Sequence, residues 1–208
     1  MKLILLLSAF FGFAGAAVAQ QAADAIPPEM TTDLSAPVTE PGLRAAQLLK
    51  SAGRPMRAEN WMIAAAHPMA VKAGADVLRE GGTAADAMVA AQAMLGLVEP
   101  QSSGLGGGGF LVYYGAEFGE VFTLDGRETA PLEATPQLFQ IEGKPMGFYS
   151  AVVGGLSVGV PGTPALMEAT HQRWGSKPWS RLFTPAIRAA QDGFEVSARL
   201  AAMVQFDA

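Results

Sequence analysis

The residues best suited to chemistry in this sequence are three charged side chains that follow a glycine-rich turn. Five glycines fill six positions, at Gly104 and from Gly106 to Gly109, and Asp125, Arg127 and Glu128 come after the two strands that the next residues predict. Glycines without side chains let backbone amides approach a ligand or another strand closely. An arginine beside them can hold a carboxylate through two parallel hydrogen bonds, which a lysine does less well. An internal ion pair of Arg127 with Glu128 or Asp125 fits the sequence equally well.

The elements that must position these residues follow from hydrophobic patterns and from capping and breaking residues. Thr83 and Asp86 form the capping-box pattern at a helix start, and Thr163 followed by Pro164 has the pattern of an N-cap and a first helical residue. The predicted strands are a buried one over 62–66 and a pair over 110–114 and 121–124. The predicted helices cover 43–49, 69–79, 84–98, 164–174 and 185–192, and a last one is capped by Ser197.

The order of these elements excludes a dinucleotide site. Gly104, Gly106 and Gly109 match the pattern G-x-G-x-x-G, which needs a strand before it and a helix after it. Here a helix precedes the glycines and a strand follows them, so no helix N-terminus is offered to a pyrophosphate. The sequence also lacks the G-x-S-x-G elbow of serine hydrolases.

The two histidines do not indicate a catalytic or metal centre. They are distant from each other and there is no cysteine, so the sequence offers no set of metal ligands. His171 is predicted to be a solvated residue beside Glu168 and Arg173, and His67 is predicted to orient the break at Pro68.

The N-terminal part indicates export. Lys2, the apolar run 3–13 and the small residues 17–19 predict a signal peptide over 1–19, cleaved before Gln20, with an uncleaved membrane anchor as the alternative. Removal of Lys2 leaves one fewer than the 14 basic residues against 19 acidic ones, a formal charge of −6. This charge, without clustered lysines and arginines, argues against a nucleic-acid partner. A proline-rich, poorly structured arm is expected over 20–60, and the folded part over 61–208.

Five segments, in this order, resemble the gamma-glutamyltransferase (glutathione hydrolase) family. They are E-G-G-T-A-A-D-A from Glu80, E-P-Q-S-S-G-L-G-G-G-G-F from Glu99, D-G-R-E-T-A-P from Asp125, G-V-P-G from Gly159 and P-A-I-R-A-A-Q-D-G-F-E-V from Pro185. The resemblance covers residues from about Trp61 to the end. It implies an α+β fold of the N-terminal nucleophile hydrolases, a four-layer αββα sandwich of which this sequence supplies part.

The resemblance also implies the chemistry. In this family a precursor cuts itself into a large and a small subunit, and the new N-terminal threonine of the small subunit attacks the γ-glutamyl amide of glutathione, with its own α-amine as the base. Arg127 corresponds to the arginine of the R-E-x-A-P motif, which grips the substrate α-carboxylate, and the run Gly106 to Gly109 to close backbone packing near the site. No cofactor, metal or stable membrane span is implied; the implied partners are glutathione or other γ-glutamyl compounds and the small subunit.

The T-T-H-x-S segment that carries the family's nucleophile is not among these residues. Thr31 and Thr32 resemble it, with Asp33 in place of histidine, but they precede every other family motif and are not taken as catalytic. The expectation is therefore the N-terminal part of a large subunit, truncated and inactive alone. Two alternatives stay open: a secreted remnant that binds γ-glutamyl compounds or glutamate without turnover, and an acylase of glutaryl-cephalosporins.

Overall fold

The computed structural model describes residues 41–206. The predicted signal peptide over 1–19, the first half of the expected arm (20–40) and the residues Thr31 and Thr32 lie outside that part. In chain order the helices are α1 (Pro41–Ser51), α2 (Pro68–Arg79), α3 (Ala84–Val98), α4 (Phe148–Val152), α5 (Thr163–Trp174), α6 (Trp179–Asp192) and α7 (Ala198–Phe206). The strands are β1 (Gly109–Gly115), β2 (Glu120–Gly126), β3 (Gln140–Ile141) and β4 (Lys144–Pro145).

Helix α3 lies at the centre of the core. Its residues are apolar on nearly all faces, and eight of its fifteen are buried. Helix α2 packs along one side of it, and α5 and α6 pack on others, so that Val89, Met167 and Leu182 share one apolar cluster. A helix with this composition is stable only when neighbours cover it on several sides. The packing of three helices around α3 confirms the prediction of a central buried helix.

The start of α3 is fixed by the capping box that the sequence predicts. The Oγ1 atom of Thr83 accepts a hydrogen bond from the Asp86 amide at 3.1 Å, and the Asp86 carboxylate accepts one from the Thr83 amide at 2.9 Å. The same carboxylate, fully buried, also accepts hydrogen bonds from the amides of Ser176 and Lys177, 90 and 91 residues further on. A local cap thus joins α3 to the loop between α5 and α6.

His171 corrects one prediction. It is not solvated: its side chain is mostly buried, with Nε2 2.8 Å from the carbonyl oxygen of Lys177 and 3.7 Å from Asp86 Oδ1. Its ring lies 5.1 Å from the ring of Trp179. The α5–α6 loop folds back over this face of α5 and is held there by Asp86 of α3, so a position whose neighbours in sequence are polar is covered.

Strands β1 and β2 form an antiparallel hairpin in which Gly109 faces Gly126 and Leu111 faces Leu124. Side chains alternate, as expected for a sheet with one covered face. The inner face packs on α5, where the Tyr113 ring stacks on Trp174 with 4.2 Å between centroids. The outer face is exposed, with Phe110, Val112, Tyr114 and Val121 each more than half accessible. This confirms both predicted strands, each extended by one or two residues at each end.

Three element predictions were wrong. Residues 62–66 form no strand, since no strand in the described part pairs with them; Ile63 and Ala65 instead pack on the core. Helix α6 begins at Trp179 and continues through Pro185, because burial of Leu182 against α3 offsets the hydrogen bond that proline cannot make. Thr163 is the first residue of α5, and its N-cap is Gly162.

Other predictions of local structure are confirmed. His67 caps α2, with Nδ1 accepting a hydrogen bond from the Met69 amide at 3.2 Å. Ser197 caps α7 through the Leu200 amide at 3.0 Å. The predicted short helix 43–49 lies within α1. In the described part of the chain, no helix is long and apolar enough to cross a membrane.

Candidate functional site

A cleft of about 620 Å³ opens where α3, the glycine turn, the end of β2 and the start of α5 meet. One wall is the backbone of the glycine turn, and polar and charged side chains stand on the others. Its lining comprises Met88, Gln92, Pro100, Ser102, Ser103, Gly104, Gly106, Gly107, Gly108, Gly109, Phe110, Leu111, Arg127, Glu128, Thr163, Leu166 and Met167. The residues singled out in the sequence for chemistry are thus brought together here, with the exception of Asp125.

Arg127 carries the positive charge of the cleft. It follows directly on β2, and its backbone amide donates a hydrogen bond to Asp125 Oδ1 at 2.9 Å, which turns the chain at the strand end. Its Nη1 atom contacts Glu128 Oε2. The Arg127 side chain nevertheless remains 63% exposed and that of Glu128 24%. The guanidinium is held at one edge by a carboxylate and is otherwise open to solvent, so it can still take a second carboxylate.

The glycines of the turn allow backbone segments to approach Arg127 closely. A Cβ atom on Gly108 would lie 2.5 Å from the Gly126 carbonyl oxygen and 2.8 Å from Glu128 Oε2. A Cβ atom on Gly162 would lie only 1.9 Å from the same carbonyl oxygen. Any larger residue at either position would displace the backbone that carries Arg127. Within the run Gly106 to Gly109 the expected close packing is therefore found at Gly108, whereas a Cβ atom on Gly106 would meet nothing within 4 Å.

Hydrogen bonds join the same segments. The Gly107 carbonyl oxygen accepts from the amides of Gly162 at 2.9 Å and Thr163 at 3.0 Å, so the start of α5 is fixed on the glycine turn. Behind Glu128, the Val160 amide donates to the Thr129 carbonyl oxygen at 2.8 Å. Three of the sequence motifs, from Glu99, Asp125 and Gly159, thus meet around one short stretch of backbone. Sequence spacing alone gave no sign of this meeting.

A second set of polar residues fixes the beginning of the glycine turn. Glu99, at the end of α3, is 3% exposed, and its Oε2 atom accepts a hydrogen bond from Gln101 Nε2 at 2.6 Å. Arg199 on α7 places Nε 3.8 Å from Glu99 Oε2 and donates from Nη2 to Ser102 Oγ at 3.1 Å. Within the cleft, Gln92 Nε2 donates to Ser103 Oγ at 2.6 Å. Nothing in the sequence marks Glu99 and Arg199 as a pair, because their contact spans 100 positions.

Neither histidine lines the cleft. Burial lowers the pKa of His67, while the negative charge of nearby Glu99 acts in the opposite direction and offsets part of that effect. A neutral ring fits its role, because Nδ1 must keep a lone pair to cap α2. Within residues 41–206 no group of three or more histidine, aspartate or glutamate side chains is arranged to hold a metal ion.

Comparison with known proteins shows which family has this sequence and this arrangement. A profile of gamma-glutamyltranspeptidases matches residues 70–207. The glutathione hydrolase proenzyme of Bacillus subtilis strain 168 is 45% identical over 141 residues, which are 67% of this chain and 24% of that protein. The crystal structure of the Helicobacter pylori gamma-glutamyltranspeptidase superposes with a TM-score of 0.69 at 39% identity, covering 73% of this chain and 43% of that one. A cephalosporin acylase of Bacillus halodurans gives 0.58 at 27% identity, covering 71% and 29%.

The packed helices, the hairpin and the glycine-walled cleft belong to an N-terminal nucleophile hydrolase, and the described residues form part of that α+β fold. The family profile matches more than half of the chain, and a solved member is 39% identical to it, so the family within this class can be stated. The chain belongs to the gamma-glutamyltranspeptidase family. It spans about a quarter of the length of the curated relatives that it matches.

Proposed function

We propose that this chain forms the substrate-carboxylate site of a gamma-glutamyltransferase large subunit, and that Arg127 binds the α-carboxylate of the γ-glutamyl group. The observation that carries the proposal is the guanidinium itself, which is 63% exposed on the rim of a cleft of glycine backbone. Glu128 holds one edge of that guanidinium and so limits its rotamers before a ligand arrives. A guanidinium ordered in advance loses less entropy on binding a carboxylate.

The rest of the catalytic apparatus would come from a segment beyond the described cleft. The nucleophile is the N-terminal threonine of a small subunit, cut from the same precursor, that hydrolyses or transfers the γ-glutamyl group of glutathione. The exposed outer face of the β1–β2 hairpin, with Phe110, Val112 and Tyr114, offers an apolar surface for that remaining part of the fold. The folded unit over 61–208 alone is then a binding unit without turnover.

Ligand binding by the purified chain tests the role of Arg127. L-Glutamine, a γ-amide with an α-carboxylate, should bind, and 4-aminobutanamide, which lacks the α-carboxylate, should bind at least tenfold more weakly. Arg127→Ala should raise the Kd for L-glutamine by roughly 10- to 100-fold, since a charge-assisted hydrogen bond contributes about 1.5–3 kcal/mol. Arg127→Lys should recover part of the loss, because one ammonium replaces a two-pronged donor.

Arg188→Ala is the matched control. Arg188 is exposed on α6, outside the cleft, and its removal changes the net charge by the same amount. If Arg188→Ala weakened binding as much as Arg127→Ala, attraction to overall charge would explain the data and the proposed contact would be wrong. Equal affinity for the two amides would refute it as well.

The absence of turnover is tested with a chromogenic γ-glutamyl anilide. The chain alone should release no amine, whereas the same chain joined to the small subunit should release it. Amine release by the chain alone that Arg127→Ala abolishes would overturn this part of the proposal.

An acylase acting on glutaryl-cephalosporins is the second candidate, supported by the similarity to the Bacillus halodurans cephalosporin acylase. A glutaryl group also ends in a carboxylate, so Arg127 could serve either substrate. Glutaric acid monoamide, which lacks the α-ammonium group, distinguishes the two. Tighter binding of the monoamide than of L-glutamine would favour the acylase.

The proposal also includes export of the protein, because residues 1–19 have the pattern of a signal peptide. Secretion of the chain with Gln20 as its first residue is the expected result of expression in a bacterial host. A secreted or membrane-bound product that still begins at Met1 would contradict cleavage.

A further inference from the structure

The buried carboxylate of Glu99 joins three parts of the chain at the entrance to the glycine turn. It lies at the end of α3, is 3% exposed, and makes its side-chain contacts to Gln101, Ser197 and Arg199. Its backbone carbonyl oxygen accepts hydrogen bonds from the amides of Ser102 at 3.0 Å and Ser103 at 2.9 Å. The two serines line the cleft. One residue therefore fixes the loop through its main chain and anchors it to α7 through its side chain.

Arg199 completes the connection from the other side. Its guanidinium bridges Glu99 and Ser102, with Nε 3.8 Å from the carboxylate and Nη2 3.1 Å from the serine hydroxyl. The planar fork of arginine suits this double contact, which a single ammonium group cannot reproduce. Ser197 adds a hydrogen bond from Oγ to Glu99 Oε1 at 3.4 Å while the same oxygen caps α7. The start of α7 and the start of the glycine turn are thus held together.

We infer that Glu99 and Arg199 are positioning residues, which set the place of the Ser102–Gly109 segment opposite Arg127 and so set the shape of the cleft. The inference rests on the proposed function for its effect on ligand affinity, but its effect on the loop is independent of any ligand. Neither residue lines the cleft. Both act through Ser102 and Ser103.

Amide hydrogen exchange tests the structural half of the inference. In Glu99→Gln and in Arg199→Met, amides of residues 102–109 should exchange roughly tenfold faster or more, because local opening follows the loss of contacts that hold a segment closed. Amides in the middle of α3 should keep the exchange rates of the unaltered chain. Arg199→Lys should restore part of the protection.

Glu168→Gln is the matched control. Glu168 loses the same charge in this variant but is exposed, accepting a hydrogen bond from Gln172 at 3.0 Å on α5. It should leave the exchange of residues 102–109 unchanged. Unchanged exchange of that segment in Glu99→Gln and Arg199→Met would overturn the inference, whatever the ligand does. Faster exchange spread evenly over the whole chain would overturn it too, since that is general destabilisation.

Ligand affinity tests the functional half. The Kd for L-glutamine should rise about three- to tenfold in Glu99→Gln and Arg199→Met, less than in Arg127→Ala, because the positioning residues do not touch the ligand. Binding that Arg127→Ala weakens and these two variants leave unchanged would refute the positioning role and leave the proposed function standing. No dependence on Arg127 would refute the proposed function, while the exchange data would still decide the role of Glu99.

Discussion

Replacement of Asp86 should be among the most destabilising single changes in the chain. Its carboxylate is 0% exposed and accepts hydrogen bonds from the amides of Thr83, Ser176 and Lys177 and from the hydroxyls of Thr83 and Ser176. Asp86→Ala leaves three backbone donors without this acceptor. With about 1 kcal/mol or more for each buried donor left unpaired, we expect a loss of about 3–5 kcal/mol in the free energy of unfolding. A domain of this size has only about 5–15 kcal/mol in total.

Smaller changes at the same site give a graded series. Thr83→Ala removes the helix cap and one hydroxyl donor to Asp86, and it should cost about 1 kcal/mol. Ser176→Ala removes one hydroxyl donor and leaves no buried amide unpaired, so it should cost about 0.5–1.5 kcal/mol. Asp86→Asn keeps one acceptor oxygen but turns an NH₂ group towards amide donors, and about 2–3 kcal/mol is expected. The loss of free energy of unfolding should be largest in Asp86→Ala, smaller in Asp86→Asn, and smallest in Thr83→Ala and Ser176→Ala. This order is the critical result.

Equilibrium unfolding in guanidinium chloride, followed by tryptophan fluorescence, measures this series. Trp174 and Trp179 report directly, since both lie beside the α5–α6 connection. The midpoint should fall in proportion to the lost free energy at constant slope. An Asp86→Ala midpoint no lower than that of Thr83→Ala would refute the reasoning, because Asp86 would then act only as a local cap.

The free energy of unfolding measured at acidic pH gives an independent check on the role of Asp86. Burial by itself would raise the pKa of this carboxyl, but the hydrogen bonds from Thr83, Ser176 and Lys177 outweigh burial and hold the pKa below its usual value. The carboxylate therefore stabilises the fold fully above the unfolded-state pKa of about 4, and this contribution is lost as the pH falls through the lower folded-state value. The stability gap between the unaltered chain and Asp86→Asn should narrow over that range.

Three further predictions concern packing and charge. Gly162→Ala should lower the free energy of unfolding by about 1–3 kcal/mol or more, because its Cβ would lie 1.9 Å from the Gly126 carbonyl oxygen. Gly104→Ala is the control: its Cβ would meet nothing within 4 Å, so the free energy of unfolding should change by less than about 0.5 kcal/mol. Met167→Ala, at a side chain 2% exposed, should cost about 2–5 kcal/mol in the same denaturation assay. His67 has a lowered pKa, so the fold should lose stability as the pH drops below about 6.5, and His67→Gln should flatten that part of the profile.

Local signals in the sequence were enough to predict the elements that they determine. The capping box at Thr83 predicted the first residue of α3, and two short apolar runs joined through Gly119 predicted the β1–β2 hairpin. These features depend on residues within a few positions of each other. The strand expected over 62–66 failed for the opposite reason, because a strand needs a partner that the sequence of that segment does not specify.

The site could be predicted only in part. Arg127 and the glycine turn were found together, because they lie on one continuous stretch of hairpin. The sequence left open whether Arg127 pairs with Glu128 or Asp125; the structure pairs its guanidinium with Glu128 and its amide with Asp125. The closure of the cleft by Gly162 and its anchoring by Arg199 depend on contacts between distant segments, which composition and periodicity do not encode.

The two ends of α3 explain why one acidic residue needs a distant partner and the other does not. Asp86 lies in the first turn, where the partial positive charge of the helix and free amides favour a carboxylate. Glu99 lies just past the last turn, where the partial negative charge of the helix opposes a carboxylate, and it is nearly as buried. A buried carboxylate there is costly without a cation, and Arg199 supplies one from α7. Since an apolar residue at position 99 would avoid that cost, the ion pair is better explained by the loop it positions than by the stability it adds.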